Sequence, residues 1–488
     1  MLLRSHRTHT GARPHVHALV LLALASACAG NAPVDEDAGP LDRDAGSVDA
    51  GALYEGPPYD VEVGFFADDT LARTPWRCDA PPYRWWGVSQ LGDVLEHQVK
   101  GTFSTSLLAA FKAQLATSIA LARSPAHDVG LHRIRYQTQD RGTLVDATAL
   151  VAVPVAPAAE MPVLLYMHGT EGFVDVCSPS SGIDTFTQRN YVDAATLAMF
   201  ASWGYIVVAP DYLGLKSFGA QSPDLHPYLV AEPTALAALD AVRASKRLTA
   251  TLETAPAPTG PLVVLGVSQG GHGAAFVVRY QPHYAHDLPI AGAVYAVPPL
   301  DLVGESAAAS TSTSATVRGS SGAFLATGRI WYRSEVPLSD ALLPPHDENL
   351  LLQLYTECNT PSLSGAVESI FSEPLRAGAL EPFACMGSEN SLLHTSVPKR
   401  ENTPALIILA DSDVLVSRVA EREAFVSMCD ADDEAALELI ECSDAGHIEG
   451  FTYSIDNAFD WLDARMAGLA LTTRCEPVQP AKCASDPR

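Results

Sequence analysis

Apolar runs recur along this chain at spacings that leave room for a helix between them. Segments 162–168 (PVLLYMH), 205–210 (YIVVAP), 261–267 (PLVVLGV), 290–297 (IAGAVYAV) and 404–410 (PALIILA) are nearly continuous in apolar side chains. That pattern suits strands covered on both faces. Segments 131–138 and 144–155 (LVDATALVAVPV) read as an antiparallel pair. Segment 437–442 (LELIEC) alternates, which suits an edge strand. Between the runs lie helical stretches. One, 232–248, has Pro233 near its start and Lys246 and Arg247 near its end, both favourable positions. Another, 451–467, sets Phe451, Ile455, Phe459, Leu462 and Met466 on one face. Strands alternating with helices predict an α/β fold with a mostly parallel central sheet flanked by helices.

The rhythm breaks between 300 and 400. This stretch opens rich in Ser and Ala (GESAAASTSTSATVRGSSGA) and then carries Cys358 and Cys385. It is expected to form a largely helical cap inserted into a core made of 131–299 and 401–488. Residues 59–130 are expected to pack as an N-terminal extension.

The N-terminus has its own pattern. Arg4, Arg7 and Arg13 precede a short apolar run, 18–27 (ALVLLALASA). A basic stretch, a run too short to span a bilayer and small residues at its end read as a signal peptide over 1–27. At Cys28 two cleavage readings compete: an ordinary small-residue site, and a lipobox ending at a lipidated Cys28. The chain has nine cysteines. Lipid on Cys28 leaves an even number for disulfides in an oxidising compartment, which favours the lipid anchor. Residues 28–58 repeat Asp-Ala-Gly and hold almost no large apolar side chains. They cannot bury enough surface to offset chain entropy, and are expected to be a disordered tether. The implied location is a membrane-anchored lipoprotein facing the periplasm or cell surface, or a secreted protein if Cys28 is unmodified.

Charge narrows the function. A formal net charge of −26 argues against nucleic-acid binding, which needs clustered Lys and Arg. No cysteine pair has zinc-site spacing, no phosphate-binding loop or HExxH is present, and the acidic run at 430–434 lacks EF-hand spacing. No metal or cofactor is expected.

The chemistry concentrates at 266–273 (GVSQGGHG), which contains G-x-S-x-G with Ser268 at its centre. An apolar strand precedes it and a helical stretch follows, the setting in which a serine nucleophile sits on a sharp turn whose flanking positions have no room for side chains. Its partners should follow in the order acid, then His. Asp411 and Asp413 follow the strand at 404–410, and His447 follows the strand at 437–442. Carboxyl ends of strands are where open α/β sheets bind ligands. His447 would take the proton from Ser268, and a carboxylate would orient it. The developing oxyanion needs two N–H donors: the backbone of Gln269 and one from the loop 168–172. His168 and His272 read as structural, and the 211–214 turn as structural or pocket-lining.

Three segments, HGTEG at 168–172, VLGVSQGGHG at 264–273 and PALIILADSDVLVS at 404–417, together resemble the secretory lipases, the lipase-A-like branch of the α/β-hydrolases. The resemblance spans most of 130–465. It implies an α/β-hydrolase fold, Asp413 as the acid with Asp411 as the alternative, and Thr170 as the second oxyanion donor. The function expected is a serine carboxylesterase or lipase acting through an acyl-enzyme on a small-molecule or lipid ester, touching a membrane only through its anchor. The alternatives are an exopeptidase or acyltransferase with the same residues, and a non-catalytic surface-binding lipoprotein.

Overall fold

The computed structural model describes residues 78–488, apart from 81, 82, 84, 88, 158, 184–187 and 477. The expected signal peptide, the Cys28 anchor and the tether lie outside the described residues.

The chain folds as β1 (Val94–Phe103), α1 (Thr105–Leu115), β2 (Val129–Asp140), β3 (Thr143–Pro154), β4 (Val163–Met167), α2 (Gln188–Ser202), β5 (Ile206–Pro210), α3 (Ala231–Thr249), β6 (Leu262–Val267), α4 (Gln269–Tyr284) and β7 (Ile290–Ala296). It continues with α5 (Leu302–Ala309), α6 (Ala315–Trp331), α7 (His346–Thr356), α8 (Val367–Ile370), α9 (Glu373–Arg376) and α10 (Phe383–Glu389). It closes with β8 (Ala405–Ala410), α11 (Arg418–Asp430), β9 (Leu437–Cys442), α12 (His447–Thr452) and α13 (Ile455–Met466).

The strands form one sheet in the order β1-β2-β3-β5-β4-β6-β7-β8-β9. From β5 through β9 all neighbours are parallel. β1, β2 and β3 run antiparallel, and β3 joins β5 antiparallel. The β2–β3 hairpin closes through Arg141 and Gly142, both at positive φ, in the conformation that matches strand twist. β9 pairs with β8 at the sheet's end, the edge position its alternation suggested.

The sheet is buried from both sides. One face packs its apolar side chains against α3, α4 and Phe425 of α11. The other packs against α1, α2, α12 and α13. The helices between β7 and β8 have their own apolar core, which includes Phe324, Leu342, Leu350, Phe371 and Phe383 and reaches Phe173 and Tyr228. Two disulfides fasten this segment to the rest: Cys177–Cys358 and Cys78–Cys385. Cys429–Cys475 and Cys442–Cys483 fasten the C-terminal tail to α11 and β9. All eight described cysteines are paired, which suits an oxidising compartment.

Two local expectations change. The sheet begins earlier than the apolar pattern shows, at β1, whose side chains are largely exposed and so carry no burial signal. The single helix expected over 451–467 is two helices. Ser454 bonds back to the carbonyls of Gly450 and Phe451, and the Tyr453 carbonyl accepts from Ser485 N–H of the tail rather than from the next helical turn.

Candidate active site

β6 delivers Ser268 into the turn before α4. Its backbone is at φ +56°, ψ −119°, a conformation uncommon outside glycine and held here by its surroundings. Ser268 N–H donates to the Ala296 carbonyl at 2.9 Å, while its own carbonyl accepts from Gly271 at 2.8 Å and His272 at 3.1 Å. The flanking glycines are required by close approach. A Cβ at Gly266 would lie 1.9 Å from the Gly270 carbonyl oxygen, and one at Gly270 would lie 2.1 Å from that of Met167. Backbone therefore packs on backbone around the turn, and the serine hydroxyl is left pointing outward.

His447 is the first residue of α12, carried there by β9. Its Nε2 lies 2.8 Å from Ser268 Oγ and its Nδ1 lies 2.7 Å from Asp413 Oδ2. A carboxylate only accepts, so Nδ1 carries the hydrogen and Nε2 is left to accept the serine proton. Asp413 is fixed from its other oxygen, Oδ1, which accepts from Leu415 N–H at 2.8 Å and Val416 N–H at 3.0 Å. Both members of this pair are shielded: the His447 side chain is 9% exposed and that of Asp413 4%. Asp411 faces another way. Its Oδ1 accepts from Ser412 Oγ and from Ala445 N–H, bracing the turn that precedes His447.

Thr170 and Gln269 flank the serine. Thr170 lines one cavity with Ser268 and His447, and its Oγ1 lies 3.1 Å from Tyr228 Oη. The Gln269 side chain is buried and turned aside, with its amide nitrogen 2.5 Å from His226 Nε2. His226 Nδ1 donates to the Leu213 carbonyl at 2.8 Å, so Nε2 accepts from Gln269. Burial holds His226 neutral, its pKa pushed down to about 3.

The remaining histidines of the motifs brace the fold. His168 Nδ1 donates to the Gly169 carbonyl at 2.7 Å and its ring stacks on Tyr212 at 4.1 Å. His272 Nε2 donates to the Asn390 carbonyl at 2.8 Å, tying α4 to the end of α10, and burial pushes its pKa down to about 4. Asp211 is fully buried and accepts from Thr148 Oγ1 and Ser180 N–H, a structural position.

The cavity over Ser268 measures about 80 Å³ and is also lined by Glu305, Val317, Phe324, Leu415 and Val416. A second cavity of about 310 Å³ lies within the helices of the insert, lined by Leu325, Phe371, Leu375 and Phe383. The two share Ser306, Ser321 and Phe324 as walls. Tyr228, Glu305 and Phe324 carry no motif, and the sequence pattern does not single them out. Among the described residues, no group of three or more His, Cys, Asp or Glu side chains could hold a metal ion, and no helix is long and apolar enough to cross a membrane.

The sheet order and the strand–turn–helix at Ser268 are those of an α/β-hydrolase. Residues 180–327 match the family model described as Secretory lipase, so the resemblance read from the sequence is met by a family match. Among solved structures, the fold is similar to the rice cell wall degrading esterase LipA from Xanthomonas oryzae, at 18% identity and TM-score 0.59, covering 77% of this chain and 97% of that one. It is also similar to Candida antarctica lipase A, at 17% identity and TM-score 0.62, covering 80% of this chain and 86% of that one. Likenesses at these identities establish the fold. No curated protein matches the chain.

Proposed function

We propose that this chain is a serine hydrolase of carboxylic (acyl) esters. One observation carries the reading: His447 bridges Ser268 Oγ and Asp413 Oδ2 through its two ring nitrogens, at hydrogen-bond distance to both. Nothing else about a structural histidine in a helix's first turn requires a serine on one side and a buried carboxylate on the other.

The chemistry follows from the geometry. His447 Nε2 takes the hydroxyl proton as Ser268 Oγ attacks the ester carbonyl carbon. The tetrahedral oxyanion is held by backbone N–H groups of Gln269 and Thr170. Asp413 stabilises the imidazolium without itself taking the proton. His447 then gives the proton to the departing alcohol, leaving an acyl-serine. A water, deprotonated by the same nitrogen, attacks the acyl carbon, and release of the carboxylic acid regenerates Ser268. No cofactor enters. The apolar cavity within the insert is the place for the acyl chain, which makes the insert the cap over the site.

The cysteine count also bears on location. With the eight described cysteines paired, Cys28 is the one remaining, which supports its use as a lipid anchor on an exported enzyme. Mass spectrometry of the mature N-terminus tests this: an unacylated residue 28 removes the anchor.

The decisive test compares p-nitrophenyl butyrate hydrolysis by the wild type and Ser268→Ala, with fluorophosphonate labelling in parallel. The expected result is labelling at Ser268 and a rate loss of roughly ten-thousandfold to a millionfold in the variant. An aminoacyl amide turned over faster than the ester would point to an exopeptidase. A folded wild type with neither turnover nor labelling would leave a binding protein.

A further inference from the structure

Two acidic side chains outside the proposed machinery are arranged reciprocally beside it. Asp301 is the N-cap of α5, and Glu305 follows one turn later, its N–H bonded to the Asp301 carbonyl at 2.8 Å. Ser417 is the N-cap of α11, and Glu421 follows one turn later, its N–H bonded to the Ser417 carbonyl at 3.0 Å. Each carboxyl then reaches the other helix. Glu305 Oε1 accepts from Ser417 N–H at 2.8 Å, and Glu421 Oε1 accepts from Asp301 N–H at 3.2 Å. The α5–α11 clasp joins the root of the insert to the loop that carries Asp413.

The clasp brings the two carboxyls together in a buried place. Glu421 is wholly buried; the backbone N–H groups of Asp301 and Leu300 face its carboxyl, and its Oε2 makes no hydrogen bond of normal geometry among the described residues. Opposite it lies the carboxyl of Glu305, which also lines the cavity over Ser268 and His447. Two carboxylates in contact without water repel, and a proton held between them removes the repulsion and supplies the missing hydrogen bond.

The charges around the pair do not relieve it. From the loop after β8 comes Asp413, from the start of α5 comes Asp301, and across the cavity stands His447, already bonded to Asp413. His394 Nε2 lies 3.7 Å from Asp301 Oδ1 and is half-exposed. Arg418 and Arg422 of α11 are engaged by Glu441. Among the described residues no Lys or Arg forms an ion pair with Glu305 or Glu421. Burial, with the neighbouring Asp413 and Asp301 adding to it and the hydrogen bond with Glu421 opposing it, pushes Glu305 up to about 7. Burial, with Glu305 and Asp301 adding to it, pushes Glu421 well above the usual carboxylate range.

We propose that Glu305 and Glu421 share one proton, that this pair positions the Asp413 loop, and that loss of the shared proton lowers the hydrolytic rate on the alkaline side. The proposal rests on the esterase reading of the site. With the proton gone, two like charges face each other in the clasp. One of them also stands in the wall of the cavity where the oxyanion must form, and it opposes that charge. Glu305 and Glu421 are positioning residues; neither is assigned a proton-transfer step.

The test is the pH profile of kcat/KM for p-nitrophenyl butyrate, with the Ser268→Ala rate subtracted, in the wild type, Glu305→Gln, Glu421→Gln and the double Gln variant. Facing amides in the double variant keep a neutral hydrogen bond. The wild type is expected to lose rate at alkaline pH, above the neutral range in which Glu305 itself titrates, approaching about tenfold per pH unit, as loss of one essential proton requires. The Gln variants are expected to lack that alkaline limb while leaving the acid side of the profile unchanged. Profiles that superimpose in wild type and folded Gln variants overturn the proposal. If no Gln variant folds, infrared spectroscopy of the wild type decides. A protonated-carboxyl band that survives the passage through neutral pH and disappears only at alkaline pH supports the shared proton, and its absence at neutral pH overturns it. A wild type that binds no fluorophosphonate and hydrolyses no ester defeats the esterase reading instead, and the infrared titration still judges the pair. Thermal melting supplies a further check. Folding raises Glu305 above its unfolded value, so its stabilisation is present at acid pH and is lost as pH rises through about 7.

Discussion

The turn at Ser268 and the insert wall above it face the same cavity but are built differently. At the turn, main-chain atoms set the geometry: Ser268 is held by the carbonyl of Ala296 and the amides of Gly271 and His272, and Gly266 and Gly270 allow the backbones to touch. In the insert, side chains set it. Ser306, Ser321 and Phe324 divide two cavities, and Glu305 meets Glu421 across a helix pair. The insert is held in place by its own apolar core and by disulfides. A site that needs one reactive atom placed to a fraction of an ångström is best built from backbone, which has few soft degrees of freedom. A pocket that must match a substrate's shape is built from side chains, which can be exchanged without refolding the sheet.

This contrast can be broken at several points. The largest effect is expected at the acid. Asp413→Asn should cost roughly ten-thousandfold in kcat, because it takes away the carboxylate that fixes the His447 tautomer. Asp411→Asn, tested beside it, should cost far less, since Asp411 braces a turn and does not touch His447. Equal losses in the two would remove the distinction. Next comes the turn itself. Gly266→Ala forces a Cβ against the Gly270 carbonyl, and the resulting shift of Ser268 should lower kcat by about a hundredfold. A variant with unchanged kcat would show that the backbone is less confined than its contacts require. The smallest effect on chemistry is expected in the insert. Replacing Cys177 and Cys358 together by Ser should lower stability by about 2–4 kcal/mol in urea unfolding. It should change KM and acyl-chain preference more than kcat at temperatures where the fold persists. A collapse of kcat equal to that of Gly266→Ala would mean that the insert, too, places the reacting atoms.

The same contrast explains what could be read in advance. Ser268 announced itself because backbone crowding demands glycine at fixed offsets, and crowding of that kind leaves a local sequence pattern. The parallel strands were legible because burial on both faces demands uninterrupted apolar residues. β1 was not legible, because an exposed edge strand demands nothing of its side chains. The end of α12 was missed for a related reason: the Tyr453 carbonyl is taken by Ser485, a partner distant in sequence that no local periodicity reveals.

By itself the sequence determined the alternation of strands and helices and the strand–turn–helix at Ser268. These are local demands of burial period and steric crowding, felt within a few residues. Only the tertiary structure decided that Asp413 and not Asp411 meets His447, since both follow the same strand and differ only in which way the loop turns them. It alone decided the four disulfide pairings, the engagement of Gln269 by His226, and the meeting of Glu305 with Glu421. Each of those joins residues far apart in the chain, and contact between distant residues is set by how the elements pack, which no single stretch of sequence contains.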